Sequence, residues 1–303
     1  MPESSSQHTN KVIYVKGNRQ VTRDLVITEQ PLQICISFYE QSSLKNVITE
    51  QLQSSTFSIT MRTPGHDEQL ILGLLLSEGV ISSINDIEEI TREPLDEENT
   101  ELASTVTSDN SWEVKLAKGV SLNIVNLERY QMTYSSCGLC GTTSLKSLEL
   151  KSPPKSPKAK AWLDANKIGL WPILMKEQQA LFKKTGGAHA AALFDQFGSL
   201  LDIKEDIGRH NAVDKLLGEL LKTKTNNLTK RNLAIVVSSR VSFEIVQKTI
   251  MSGIGVLIAV GAVSNLAISA AKRFDLTLIG FTTADSFNLY NGEWRMMQNS
   301  EGL

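Results

Sequence analysis

The chain has 303 residues, of which 41% are hydrophobic and 21% charged, a balance that fits a soluble globular protein of one large or two ordinary domains. A formal net charge of -2 excludes nucleic-acid binding through overall charge, so no DNA partner is expected. No apolar run approaches the ~20 residues that span a bilayer, and the opening Met-Pro-Glu-Ser-Ser-Ser-Gln lacks the basic and apolar regions of a secretory signal; the expectation is a cytoplasmic protein without membrane contact.

Residues 1–10 are polar and read as a disordered tail. Residues 11–134 read as a mixed α/β amino-terminal domain, with strands at 12–15, 32–38 and 56–61, rich in β-branched and aromatic residues. Cys35 sits in one of these runs and reads as a buried small hydrophobe. Pro64-Gly65 introduces a helix over 67–78 with Leu70, Ile71, Leu74 and Leu75 as its apolar stripe and Gly79 as its stop. Residues 112–116 and 122–127 alternate as two paired strands around Lys118-Gly119. Residues 135–160 then hold a cysteine loop, a helix and the stretch from Lys151 to Lys158, whose three prolines and three lysines read as a solvated linker.

Residues 161–303 form the second domain. A helix over 176–184 ends at Gly186-Gly187, and strands at 190–194 and 200–203 flank a turn at 195–198. A helix over 210–222 carries Val213, Leu216, Leu217 and Leu220 on one face. Strands at 233–238, 256–260 and 276–281 alternate with helices at 243–251 and 265–274. These strands are near-continuous apolar runs, the pattern of a parallel sheet covered on both faces. Right-handed crossovers place their carboxyl ends along one edge, where ligand sites of such sheets form. The predicted fold class is therefore α/β, with an α+β amino-terminal part.

Only three cysteines are present, too few and too odd for a disulfide framework. Cys137 and Cys140 stand as Cys-x-x-Cys between Ser135-Ser136 and Gly141, where small flanking residues leave both sulfurs accessible. Two thiols at this spacing stabilise a thiolate or carry and release a sulfane sulfur. The same spacing serves as half of a zinc site, but a closed site needs about four ligands and no second pair exists. It also serves as a thioredoxin-type redox pair, but the surrounding thioredoxin unit is not found. No metal site is expected.

The densest polar cluster runs from Glu205 to Lys215 and opens a helix with Arg209 and His210. Orphan backbone N–H groups beside a guanidinium suit a phosphate; an ordinary N-cap with surface ion pairs fits the same residues, and Asp206 reads as a partner for a base or for Arg209. Ser238-Ser239-Arg240 repeats the arrangement at the next helix start, on the same edge. His189 begins a strand and fits a core or capping role as well as a site. The order of elements is that of the cytidine deaminase-like three-layer fold. A zinc deaminase, however, needs His-x-Glu and Pro-Cys-x-x-Cys at the two helix starts, and here they read His210-Asn211-Ala212 and Ser239-Arg240-Val241-Ser242.

Several motifs resemble one family in particular: Met61 to Gly65, Leu76 to Ile81, Ser135 to Gly141, Thr185 to Ala191, Glu205 to Lys215, Gly280-Phe281 and Phe287 to Tyr290. The chain resembles the formate dehydrogenase accessory sulfurtransferase family, FdhD/NarQ-like. The resemblance implies a cytidine deaminase-like carboxyl-terminal domain without zinc. It implies a sulfurtransferase that takes persulfide sulfur from a cysteine desulfurase. That sulfur passes to the bis(molybdopterin guanine dinucleotide) cofactor, a bound substrate, of the formate dehydrogenase catalytic subunit. The family's persulfide cysteine falls on Cys137, with Cys140 as its partner. Its cofactor-binding stretch falls on Phe281, Thr282, Thr283, Ala284, Asp285 and Ser286, beside Arg209, His210, Arg240 and His189. A homodimer is also implied. A cofactor-escorting chaperone without sulfur chemistry, and a zinc adaptor using the cysteines across a dimer, are the competing readings.

Overall fold

The computed structural model describes residues 4–44, 47–92, 110–120, 145–154, 161–223 and 232–298. The cysteine loop and the strand expected at 122–127 lie outside the described residues. Contacts divide the chain into two units that interleave along the sequence: Met1–Glu29, Thr63–Ser77 and Ser152–Leu303 form one, Gln30–Arg62 and Glu78–Lys151 the other.

The larger unit begins with a hairpin, β1 (Ser6–Val15) and β2 (Asn18–Ile27), paired over its full length. The segment expected as a disordered tail is thus strand from Ser6 onward. Lys16 and Gly17 both take positive φ, 50° and 85°, the two-residue turn whose twist matches the flanking strands. Helix α1 (Asp67–Glu78) follows the predicted limits, but its buried set is wider than the stripe, with Leu72 and Leu76 buried and Leu74 half-buried.

In the smaller unit β3 (Gln30–Leu44) pairs antiparallel with β4 (Val47–Arg62) and parallel with β6 (Ser111–Leu116), and β5 (Ile87–Arg92) closes the order β4-β3-β6-β5. Leu32, Ile34, Ile36, Phe57, Val114 and Leu116 fill its core. Cys35 is only half-buried, because the strand's alternation puts it on the face opposite Leu32, Ile34 and Ile36. Helix α2 (Leu145–Leu150) ends at Lys151, whose ammonium pairs with Glu78 at 2.6 Å. The start of the expected linker is therefore anchored rather than solvated.

The larger unit is built on a six-stranded sheet, order β12-β11-β10-β9-β7-β8. Its strands are β7 (His189–Asp195), β8 (Leu200–Asp206), β9 (Leu233–Val237), β10 (Val256–Ala259), β11 (Thr277–Gly280) and β12 (Asn288–Asn291). β9, β10 and β11 are parallel, and β7, β8 and β12 run antiparallel to their neighbours. Helices α3 (Ala165–Ile168) and α4 (Leu170–Gln178) cover one face, where Ile168, Trp171 and Met175 pack with Ala192, Phe194, Val236 and Ile258. Helices α6 (Arg209–Lys222), α7 (Phe243–Met251) and α8 (Asn265–Arg273) also pack against the sheet. This is the three-layer α/β arrangement the element order predicts. The helix expected at 176–184 differs. It breaks at Gln179 into α4 and α5 (Ala180–Thr185), because the Glu205 carboxylate accepts from the backbone N–H groups of Leu181 and Phe182, 2.8 and 2.9 Å away, and caps a new helix start.

α1 crosses α6 backbone against backbone. A Cβ on Gly73 would lie 1.8 Å from the Asp214 carbonyl oxygen, and one on Gly218 equally close to that of Gln69. Each helix thus supplies the notch for the other. Gly73→Ala should lower the unfolding free energy by about 2–4 kcal/mol, since the helices must part to admit the methyl group. Urea denaturation reads the loss directly; an unchanged midpoint would mean the helices do not meet there.

Candidate functional site

The carboxyl ends of β9, β10 and β11 are laced together by their backbones. Gly261 N donates to Ser239 O at 3.2 Å, Val241 N to Ala262 O at 2.9 Å, and Phe281 N to Gly261 O at 3.0 Å. On the other side Ser238 N donates to Ala190 O and Ala190 N to the Ser238 hydroxyl, at 3.0 and 2.9 Å. The segments beginning at His189, Ser238, Val260 and Phe281 therefore lie side by side, in the order the crossovers predict. Ser239 is buried and its hydroxyl donates to Arg240 O.

Two helices open on this edge without a side-chain cap. α6 starts at Gly208 and α7 at Ser242, and neither receives a capping hydrogen bond from its N-cap side chain; α8 does, from Ser264 to Ala267 N at 3.2 Å. Uncapped first turns leave N–H donors and the positive end of the helix dipole facing outward. Arg209 is the first residue of α6, and the exposed Arg240 stands two residues before the N-cap of α7.

Their charge is felt by both histidines. His189 faces Asp206 across the β7–β8 pair. Its proton affinity is pushed down by burial, then by the guanidinium groups of Arg209 and Arg240, with Asp206 opposing. His210 is pushed from its usual 6.5 to about 3, first by burial and then by Lys248, Arg209 and His189. Arg209, His210, Arg240 and His189 are thus brought into one electrostatic neighbourhood, carrying two fixed positive charges and two neutral imidazoles near pH 7.

Phe281 follows β11 with φ of 52°, a left-handed conformation uncommon for a bulky residue, and about half of its side chain is exposed. Thr282 is buried with no hydrogen-bond partner for its hydroxyl among the described residues, and the Ser242 hydroxyl is in the same position. Thr283 and Ser286 close a small exposed turn, Thr283 N donating to Ser286 O at 2.8 Å and Ser286 N to the Thr283 hydroxyl at 3.1 Å, with Ala284 and Asp285 at its tip. Gly169, between α3 and α4, lets this turn approach; a Cβ there would lie 2.3 Å from Ala284 O.

Asp206 has neither role expected for it. It is fully buried, and its carboxylate accepts from Thr63 N at 3.1 Å, Gly208 N at 2.7 Å and the Asn211 amide at 3.3 Å, and pairs with Lys215 at 2.7 Å. Lys215 also donates to Thr63 O at 2.7 Å, and Ile207 N to the Thr63 hydroxyl at 3.0 Å. The residue before Lys215, Asp214, pairs with Lys248 at 2.7 Å and accepts from the Ser77 hydroxyl at 2.9 Å. Sequence reading misses these pairs because Thr63 and Lys248 are remote from their partners. The available signal is Asp214 and Lys215, charged residues embedded in the apolar run of α6.

A profile of the FdhD/NarQ family matches residues 46–297. The chain belongs to the FdhD/NarQ family. Among its relatives are proteins named sulfur carrier protein FdhD. That of Streptomyces avermitilis is 38% identical over 94% of both chains. That of Sulfurisphaera tokodaii is 35% identical over 95% of this chain and 98% of its own. A crystal structure of a candidate formate dehydrogenase accessory protein from Desulfotalea psychrophila superposes with a TM-score of 0.68 at 22% identity, covering 97% of this chain and 100% of that one. That last likeness establishes the FdhD fold alone. Among the described residues no helix is long and apolar enough to cross a membrane.

His210 gives the site a pH signature. Folded, it stays neutral down to about pH 3; unfolded, it takes a proton near 6.5. The unfolded chain therefore binds the extra proton within that window, and stability present above it is lost as pH falls. Between pH 7 and pH 5 this should remove on the order of 2 kcal/mol more from the wild type than from His210→Gln. Equal pH dependence of urea midpoints in the two would contradict the assignment.

Proposed function

We propose that this protein is a cytoplasmic sulfurtransferase that accepts persulfide sulfur from a cysteine desulfurase and passes it to the bis(molybdopterin guanine dinucleotide) cofactor of formate dehydrogenase. The observation that carries the nucleotide half is the edge just described: two uncapped helix starts, each with an arginine, beside neutral histidines. Orphan N–H groups and guanidinium forks are the donors a pyrophosphate accepts from. The unpartnered hydroxyls of Thr282 and Ser242 and the exposed ring of Phe281 suit the polar and planar parts of a nucleotide. The sulfur half rests on Cys137 and Cys140 and on the names of the relatives.

In this reading the Cys137 thiolate attacks the outer sulfur of the donor's persulfide. A new S–S bond forms on Cys137, the donor's S–S bond breaks, and the donor leaves as a thiolate. Once the acceptor is bound, attack by the Cys140 thiolate on the inner sulfur closes a Cys137–Cys140 disulfide and releases the carried sulfur as hydrosulfide, the two thiols supplying both electrons. The arginine edge keeps the acceptor's nucleotide in place meanwhile.

Incubation with a cysteine desulfurase and cysteine, followed by intact mass measurement, should show one added sulfur atom on the wild type and none on Cys137→Ala. Equal gain by the variant would remove Cys137 from the role. Full formate dehydrogenase activity in a strain carrying Cys137→Ala and Cys140→Ala would instead favour the cofactor-escorting chaperone.

A further inference from the structure

The β1–β2 hairpin is left unexplained by this function. Only its root is packed: Thr28 N donates to Ser5 O at 3.0 Å, β2 touches α5, and Ile27 lies against Gly187, where a Cβ would come within 3.1 Å of it. Beyond the root the two strands project with both faces largely exposed. A lone two-stranded hairpin is marginally stable in water, so an arm of this length needs a covering surface.

The two faces differ. Residues opposite one another share a face, so Val12 with Val21, Tyr14 with Arg19, and Asn10 with Arg23 form one of them. Val12, Tyr14 and Val21 are 44%, 70% and 61% exposed and adjoin, an apolar patch with an exposed arginine at each end. Among the described residues neither arginine has an ion pair. On the opposite face Lys11 is neutralised by Asp24 at 2.8 Å. Tyrosine and arginine around a small apolar centre are the side chains that dominate protein–protein contacts.

We propose that this face docks the apoprotein that receives the cofactor, through an apolar groove edged by carboxylates. Two unpaired arginines specify acidic rims. Two copies of the face packed on each other about a twofold axis would set arginine against arginine. A nucleic acid would gain nothing from the valines. The root decides between the two enzymes of the sulfur route, and here the inference rests on the function proposed above. Ile27 contacts Gly187, two residues before His189, so a protein held on the arm stands beside the nucleotide edge, where the cofactor would be handed over.

The test is Arg19→Glu with Arg23→Glu, both exposed positions outside the edge. Affinity for the purified apo catalytic subunit of formate dehydrogenase should fall at least about tenfold, with a flatter dependence on salt. Desulfurase-driven sulfur loading of Cys137 and the sedimenting mass should stay as in the wild type. Unchanged affinity for the subunit, or no wild-type affinity for it, overturns the proposal. Loss of sulfur loading would assign the arm to the desulfurase, and a halved mass to a second copy; either also overturns it. Failure of sulfur loading in wild type and variant alike would strike the sulfurtransferase reading instead and leave the arm's result standing.

Discussion

The Asp206 carboxylate is the point from which the larger unit is organised. It ends β8, accepts the backbone of Gly208 where α6 begins on one oxygen, and receives Thr63 N and the Lys215 ammonium on the other. A carboxylate and an ammonium taken wholly out of water are tolerable only where partners replace the water; here Asp206 accepts from Thr63, Gly208, Asn211 and Lys215, and Lys215 donates also to Thr63 O. Removing one would leave the other charged and buried, which is far worse than never having had either. The ion pair therefore fixes one geometry rather than adding much stability. It dictates the angle at which α6 leaves the sheet, and with it the positions of Arg209 and His210. Asp214 with Lys248 and Ser77 repeats the device further along α6, tying it to α7 and to the end of α1.

With α6 held in this way, its first turn needs no cap from its N-cap residue. Gly208 offers no side chain to cap it, and Asp206 is already engaged, so the N–H donors and Arg209 face the edge. The same holds at α7, where the Ser242 hydroxyl is buried without capping the helix. Two arginines and two helix starts make the edge positive, and its imidazoles give up their protons first through burial and then through the neighbouring cations. An anion is the natural complement of that field, and the proposed function supplies one in its pyrophosphate.

Much of this was legible in the sequence where a local rule acts alone. α1 and α7 begin and end where periodicity and stop signals put them, and the β7–β8 hairpin follows from its turn. The parallel strands β9 to β11 declared themselves as apolar runs. Long-range partners stayed hidden. No pattern near residue 179 announces that Glu205 will cap a helix there, and none near Thr63 announces Asp206. The β1–β2 arm was only partly seen: residues 12–15 read as a strand, but polar residues 1–10 read as a tail and the pairing strand at 18–27 was missed. Of the site, Arg209, His210, Arg240 and His189 were recognisable by type and position. That both histidines would be held neutral by their neighbours depends on burial, which the sequence does not display.

The central claim is that the paired helix starts bind the phosphates of a guanine nucleotide. Calorimetric titration of guanosine diphosphate into the wild type and into Arg209→Ala/Arg240→Ala, with guanosine as the uncharged control, tests it most directly. Loss of two charge-assisted contacts should weaken the diphosphate about a hundredfold while leaving guanosine unaffected. Equal diphosphate affinity in both proteins would contradict the account.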